Sequence, residues 1–74
     1  MPPLPIVSGD EVRGALERAG WAFERQRGSH MILTRPGRRS IAIPRERELP
    51  RGTLRGIIRD AGLTVEEIRT LLAR

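Results

Sequence analysis

The residues best suited to chemistry lie in one short stretch, RGSHMIL, at residues 27–33. This stretch holds the single histidine of the chain, His30, and its Gly28-Ser29 pair predicts a turn that leads directly into a strand. An imidazole at such a position lies close to the surface and is held by a regular element. Arginines precede and follow it: Arg25, Arg27, Arg35, Arg38 and Arg39. A histidine among arginines has the chemical character that metal-free cleavage of RNA requires.

RNA carries its own nucleophile, the ribose 2′-hydroxyl, so cleavage by that route needs neither a protein nucleophile nor a metal. It needs a group that transfers protons and a positive charge that stabilises the phosphate. His30 is the candidate for proton transfer, and a second such group would be Ser29, a glutamate of residues 45–49, or water. Candidates for the positive charge are Arg27, Arg39 and Arg55. A lone histidine is more often structural than catalytic, so these residues by themselves leave both roles open.

Positive charge is concentrated in the middle of the chain. The 74 residues carry a net charge of +5, and every basic residue is an arginine, which grips phosphate with a planar fork of donors. Residues 25–59 contain ten arginines and two glutamates, a net charge of +8, so the rest of the chain sums to −3. This segregation predicts a surface that binds polyanions. Nucleic acid is favoured over a membrane surface because no basic amphipathic helix carries aromatic anchors.

Other classes of site are not expected from this composition. The chain has no cysteine, so disulfides and thiolate metal sites are excluded. With one histidine, and with most carboxylates in capping positions or beside arginines, we expect no metal site and no cofactor. The first residues lack the features of a signal peptide, and no apolar run approaches the ~20 residues needed to span a bilayer. A cytoplasmic protein without a membrane partner is therefore expected.

The helices that must support the histidine are predicted by apolar periodicity and by capping residues. The first helix starts after Ser8 and the last after Thr64, each with a glutamate three positions later, as in a capping box. Pro50 is expected in the first turn of the middle helix. On that helix three arginines recur at i, i+4 and i+8, so they form either an RNA-binding stripe or a solvated face: Arg51, Arg55 and Arg59. Residues 1–7 are proline-rich and predict an extended arm that docks at its end.

Three strands are predicted between the first two helices, and the short turns between them favour an antiparallel meander: residues 21–27, 30–34 and 39–43. Alternation along the first strand predicts one shared side for four side chains, the two aromatic ones being expected in the core: Trp21, Phe23, Arg25 and Arg27. In the second strand the pattern does not decide which side the helices cover. If Met31 and Leu33 point inward, His30 lies on the open face of the sheet.

The order of elements is helix, three strands, helix, helix. A three-stranded antiparallel sheet with helices on one face is an α+β two-layer sandwich. The first five elements are those of a double-stranded-RNA-binding fold, α-β-β-β-α, to which a short C-terminal helix is added. The chain contains no internal repeat and no linker, so residues 1–74 are predicted to form a single domain.

Four segments carry a resemblance to a known family: Gly20-Trp21, Gly28-Ser29-His30, Ile43-Pro44, and GTLRGIIRDAGL at residues 52–63. Together they resemble the HicA toxins of bacterial HicA–HicB toxin–antitoxin pairs, from about residue 8 to the end. The resemblance implies a double-stranded-RNA-binding-like fold, ribosome-independent cleavage of mRNA, and neutralisation by a HicB-like antitoxin. It also implies that His30 is the catalytic histidine. Many relatives carry further histidines after the proline that ends the third strand, where this chain has Arg45.

Two functions of different classes follow from these observations. The first is an endoribonuclease toxin that acts on mRNA. The second is a non-catalytic module that holds the phosphates of double-stranded RNA with its basic stripe. A third and weaker hypothesis is a domain whose basic face docks onto an acidic protein. In either RNA-dependent function the expected RNA-binding residues are Arg25, Arg27, Arg35, Arg38, Arg39, Arg51, Arg55 and Arg59.

Overall fold

A computed structural model describes residues 3–74 as three helices and one three-stranded sheet. The helices are α1 (Gly9–Arg18), α2 (Arg51–Asp60) and α3 (Val65–Leu72), and the strands are β1 (Ala22–Arg27), β2 (His30–Thr34) and β3 (Ile41–Pro44). The sheet is antiparallel in the order β1-β2-β3. The predicted α+β fold of the double-stranded-RNA-binding type is therefore confirmed, including the extra C-terminal helix. Within residues 3–74, no helix has the length and apolar character needed to cross a membrane.

Local sequence determines where the helices begin. Ser8 Oγ accepts the backbone N–H of Glu11 at 3.1 Å, and the Glu11 carboxylate accepts the Ser8 N–H at 2.9 Å. Thr64 and Glu67 form the same reciprocal pair at the start of α3. Both predicted capping boxes are confirmed, and each satisfies two backbone donors that a helix start leaves without partners. Pro50 is the N-cap of α2 and not a residue of its first turn, a shift of one position.

The hydrophobic core lies between the sheet and the helix layer. Its buried side chains include Val12, Ala15 and Leu16 of α1, Met31, Leu33, Ile41 and Ile43 of the sheet, Leu54, Ile57 and Ile58 of α2, and Ile68 of α3. Full burial of one such aliphatic side chain stabilises the fold by about 1.5–3 kcal/mol. Because Met31 and Leu33 are both 0% exposed, the helices cover their side of β2. His30 therefore lies on the open face of the sheet.

A β-bulge in β1 changes which side chains share a face. The register between β1 and β2 shifts between Phe23 and Arg25, which leaves Glu24 as the extra residue. Since side chains alternate along a strand, this insertion moves Arg25 and Arg27 to the face opposite that of Phe23. The prediction that these residues share one side is therefore wrong. The core prediction for the two aromatics is confirmed, since Trp21 is buried and Phe23 packs against the core.

The third strand is displaced toward the C-terminus from its predicted bounds. It begins at Ile41 because the chain between the strands forms a longer turn, in which the Arg38 N–H donates to the Arg35 carbonyl and Gly37 has a φ of +80°. It ends at Pro44, which an edge strand tolerates because one side of its backbone has no partner strand.

The N-terminal arm packs against the helix layer. Leu4 and Val7 are buried, and the Leu49 N–H donates to the Val7 carbonyl at 2.8 Å. Arg69 of α3 donates to the Pro3 carbonyl at 3.1 Å. The first two residues of the predicted arm lie outside the described residues.

Candidate active site

His30 follows a two-residue turn that joins β1 to β2. Gly28 has a φ of +60°, and nothing lies within 4 Å of the position of a Cβ added there. Glycine is therefore favoured for its backbone conformation and not for lack of space. A glycine at the first central position is typical of a tight hairpin turn whose twist matches the strands. The turn delivers His30 to the end of the sheet, where its side chain is exposed.

The cross-strand register sets the neighbours of His30 on the open face. Arg27 lies directly opposite it on β1, and Pro44 lies opposite it on β3. Ser29 Oγ is 3.5 Å from His30 Nδ1, at the limit of a hydrogen bond. Within residues 3–74 Arg27 forms no ion pair, whereas Arg25 pairs with the adjacent Glu24. An imidazole beside an unpaired guanidinium is a site at which a phosphate could be held next to a proton-transfer group.

The turn is also braced by residues that were not among the predicted site residues. Gln26 Nε2 donates to the Gly28 carbonyl at 3.1 Å, and the Arg45 N–H donates to the Ser29 carbonyl at 2.7 Å. The Arg45 guanidinium contacts both Gln26 Oε1, at 3.4 Å, and Asp10 Oδ1, at 3.2 Å. The resemblance drew attention to the position of Arg45, but its place opposite Ser29 follows only from the observed register, which pairs His30 with Pro44.

The remaining arginines predicted around His30 lie at the other end of the sheet. His30 and Thr34 begin and end β2, so about 13 Å separates them at roughly 3.3 Å per residue. Arg35 follows Thr34 and donates to the Ala19 carbonyl at the end of α1, at 2.8 Å. The arginines that the sequence placed on both sides of His30 are therefore divided between the two ends of the sheet.

An open groove at this far end contains two more of the predicted arginines. Its lining is formed by Gly37, Arg38, Arg39, Ser40 and Asp60. The Arg38 guanidinium packs against Gly62, just beyond α2, and atoms of that guanidinium lie 2.7 Å from the position that a Cβ would take there. The groove is therefore basic, with one carboxylate in its lining.

The arginines of α2 form an exposed stripe on the side away from the core. Arg51, Arg55 and Arg59 are all exposed, while Leu54, Ile57 and Ile58 face inward. At about 1.5 Å of rise per residue the stripe is about 12 Å long. Arg59 is partly neutralised by Asp60, whose carboxylate lies 3.5 Å from its guanidinium.

Comparison with known proteins adds two similarities. A family profile described as "HicA toxin of bacterial toxin-antitoxin" matches residues 9–63. Among solved structures, a chain of a "Toxin-Antitoxin complex from Streptococcus pneumoniae" is 37% identical with a TM-score of 0.67, covering 80% of this chain and 100% of that chain. A search of curated proteins found no significant match. The profile match includes the whole sheet, the turn before His30 and α2.

Proposed function

This chain belongs to the HicA toxin family of bacterial toxin–antitoxin systems, and from that premise we propose that it is a metal-independent endoribonuclease that cleaves mRNA. His30 is the proposed general acid–base. The observation that carries the proposal is the exposed His30 on the open face, directly opposite Arg27 in the strand register. That pair offers proton transfer and positive charge at one point on the surface.

The proposed reaction uses the substrate's own nucleophile. The ribose 2′-oxygen attacks the adjacent phosphorus, His30 accepts the 2′-hydroxyl proton, and a P–O2′ bond forms as the P–O5′ bond breaks. The leaving 5′-oxygen takes a proton from the imidazolium or from a water in the site. Arg27 stabilises the negative charge that grows on the phosphoryl oxygens. Ser29, beside Nδ1, orients the ring by hydrogen bonding.

The nature of the product ends tests this route. Purified protein, freed of any partner, is incubated with a defined RNA in the presence of a chelator. We expect products that end in a 2′,3′-cyclic phosphate and begin with a 5′-hydroxyl, and no cleavage where the nucleotide on the 5′ side of the scissile phosphate is 2′-deoxy. RNA that is bound but stays intact, with or without added metal, would instead favour the non-catalytic double-stranded-RNA-binding module.

A cognate HicB-like antitoxin is the proposed protein partner, and the cytoplasm, where mRNA and such a partner meet, is the proposed location. The similar solved chain comes from a toxin–antitoxin complex, which supports this assignment of a partner. Co-expression with a candidate antitoxin should restore growth to cells in which the active chain is toxic. The same antitoxin should suppress cleavage of RNA by the purified protein.

The α2 arginines are proposed to hold RNA phosphates, together with those of the sheet. Replacing Arg55 by alanine should weaken binding of a non-cleavable RNA and reduce the slope of log K against log salt concentration by about 1. An Arg74→Gln variant is the control, because it also removes one positive charge but lies at the C-terminus, outside residues 25–59. Equal slopes for the Arg55 variant and the unmodified protein would mean that the stripe is only a solvated face.

A further inference from the structure

Three side chains from different parts of the fold meet at the turn before His30. Asp10 lies in the first turn of α1, Gln26 lies in β1, and Arg45 follows β3. The Arg45 guanidinium contacts the carboxylate of Asp10 at 3.2 Å and the side-chain oxygen of Gln26 at 3.4 Å. Gln26 in turn donates to the Gly28 carbonyl at 3.1 Å. A continuous chain of polar contacts therefore links the start of a helix to the turn that holds the histidine.

The backbone of Arg45 strengthens this link. Its N–H donates to the Ser29 carbonyl at 2.7 Å, so the same residue holds the turn through both its main chain and its side chain. Arg45 is thereby fixed to both residues that precede His30, to Ser29 directly and to Gly28 through Gln26. Movement of Arg45 would be transmitted to the imidazole through these contacts.

The polar link approaches the turn from the side of the helices. Asp10 belongs to α1, which packs on the covered face, and Gln26 pairs with Met31, whose side chain is fully buried on that face. His30 and Arg27 point to the opposite face. A guanidinium held between Asp10 and Gln26 is therefore directed away from the face where a phosphate would meet the imidazole.

We propose that Arg45 is a positioning residue for His30 and that Asp10 anchors it. This inference rests on the proposed ribonuclease function and extends it to residues that do not touch RNA. The Asp10–Arg45 pair is more than half exposed at both side chains, so it adds little to global stability. Its effect should therefore appear in the rate of the chemical step, since small misplacements of a catalytic group lower rates strongly.

A substitution of Asp10 distinguishes a positioning role from an electrostatic effect on RNA binding. Removing a carboxylate makes the protein more positive, so a purely electrostatic effect would tighten RNA binding. Loss of positioning would instead lower kcat and leave RNA affinity equal or tighter. The two explanations therefore predict different changes for one substitution.

The experiment compares Asp10→Asn with Glu66→Gln in single-turnover and steady-state cleavage of a defined RNA. Asp10 and Glu66 occupy the same position, two residues after the N-cap, in α1 and α3, so the control reproduces the loss of a carboxylate near a helix N-terminus. We expect Asp10→Asn to lower kcat about 10-fold, within the ~10²-fold loss that a 1 Å misplacement causes, with an unchanged Tm. Glu66→Gln should leave kcat unchanged.

Arg45 variants complete the test. Arg45→Gln should lower kcat to a similar extent. The double variant with Asp10→Asn should have a kcat no lower than that of either single variant, because both substitutions break the same link. Arg45→Lys keeps the charge but not the planar fork, so partial recovery is expected. Additive losses, a kcat unaffected by Asp10→Asn, or a rise in KM without a change in kcat would overturn the proposal.

A structural measurement keeps this inference distinct from the ribonuclease proposal. Hydrogen exchange of the Arg45 amide, which donates to Ser29, should become faster in Asp10→Asn and stay unchanged in Glu66→Gln. If the unmodified protein cleaves no RNA but the Arg45 amide still responds to Asp10, the polar link stands and the catalytic function fails. If the protein cleaves RNA but the Arg45 amide does not respond to Asp10→Asn, the positioning proposal is wrong and the ribonuclease proposal is unaffected.

Discussion

His30→Ala is expected to lower the rate of RNA cleavage by about 10²- to 10⁴-fold, the usual contribution of a general acid–base residue. The side chain is exposed at the start of β2, on the face of the sheet opposite the core. Its removal should therefore leave the fold and the arginines proposed to bind RNA intact. The measurement is single-turnover cleavage of a defined RNA, paired with binding of an RNA that contains 2′-deoxy nucleotides and cannot be cleaved.

A matched variant, Ser29→Ala, distinguishes the imidazole from its neighbour. It removes the hydroxyl that lies 3.5 Å from Nδ1 but keeps the histidine, so a much smaller loss is expected than for His30→Ala. Expression of the His30→Ala variant should also leave cell growth unimpaired, in contrast to expression of the unmodified protein. Cleavage that persists in His30→Ala at the rate of the unmodified protein would remove His30 from the mechanism and favour a binding function.

Gly9→Ala should destabilise the fold and impair the site together. A Cβ at Gly9 would clash with the carbonyl oxygen of Pro44 and would lie 3.2 Å from the Cα of Arg45. Both neighbours are backbone, and the Gly9 N–H also donates to the Glu46 carbonyl at 2.8 Å, so the clash can be relieved only if α1, or the end of β3 with the residues after it, shifts. Overpacking of this kind costs about 1–3 kcal/mol of the free energy of unfolding. Each kcal/mol corresponds to a Tm shift of about 4–8 °C.

Gly14→Ala in the same helix provides the control and should change stability in the opposite direction. A Cβ at Gly14 meets only the guanidinium of Arg18, at 3.7 and 3.8 Å, so there is room for it. Alanine in a helix interior is more stable than glycine by about 0.5–1 kcal/mol. Thermal unfolding and RNA cleavage of the two variants should therefore diverge. A Gly9 variant as stable and as active as the Gly14 variant would contradict the close packing of α1 on Pro44.

Much of the fold was predictable because its determinants are local. The capping boxes at Ser8 and Thr64 require residues only three positions apart, and they form as the spacing predicts. The apolar stripes of α1 and α2 depend on helical periodicity alone, and their residues are buried. The turn at Gly28 follows from the same kind of short-range preference, as does the position of His30 at the start of β2.

The arrangement of the site depended on contacts between residues far apart in the sequence. The sequence pattern does not show which face of β2 the helices cover. In the structure the burial of Met31 and Leu33 places His30 on the open face. The bulge at Glu24 brings Arg27 to the face of the sheet that carries His30. The alternating sequence pattern does not reveal this bulge, yet one inserted residue inverts the side of every side chain that follows it.

The sequence by itself determined that a histidine follows a tight turn within a strongly basic segment, because turn preference and charge are properties of neighbouring residues. Only the tertiary structure decided which arginine faces that histidine and which lie beyond the far end of β2, which is about 13 Å from its start. It also decided that Arg45 and Asp10 reach the turn from the helix side. The physical reason is that strand register and layer packing join distant segments, and they depend on how the whole core is filled.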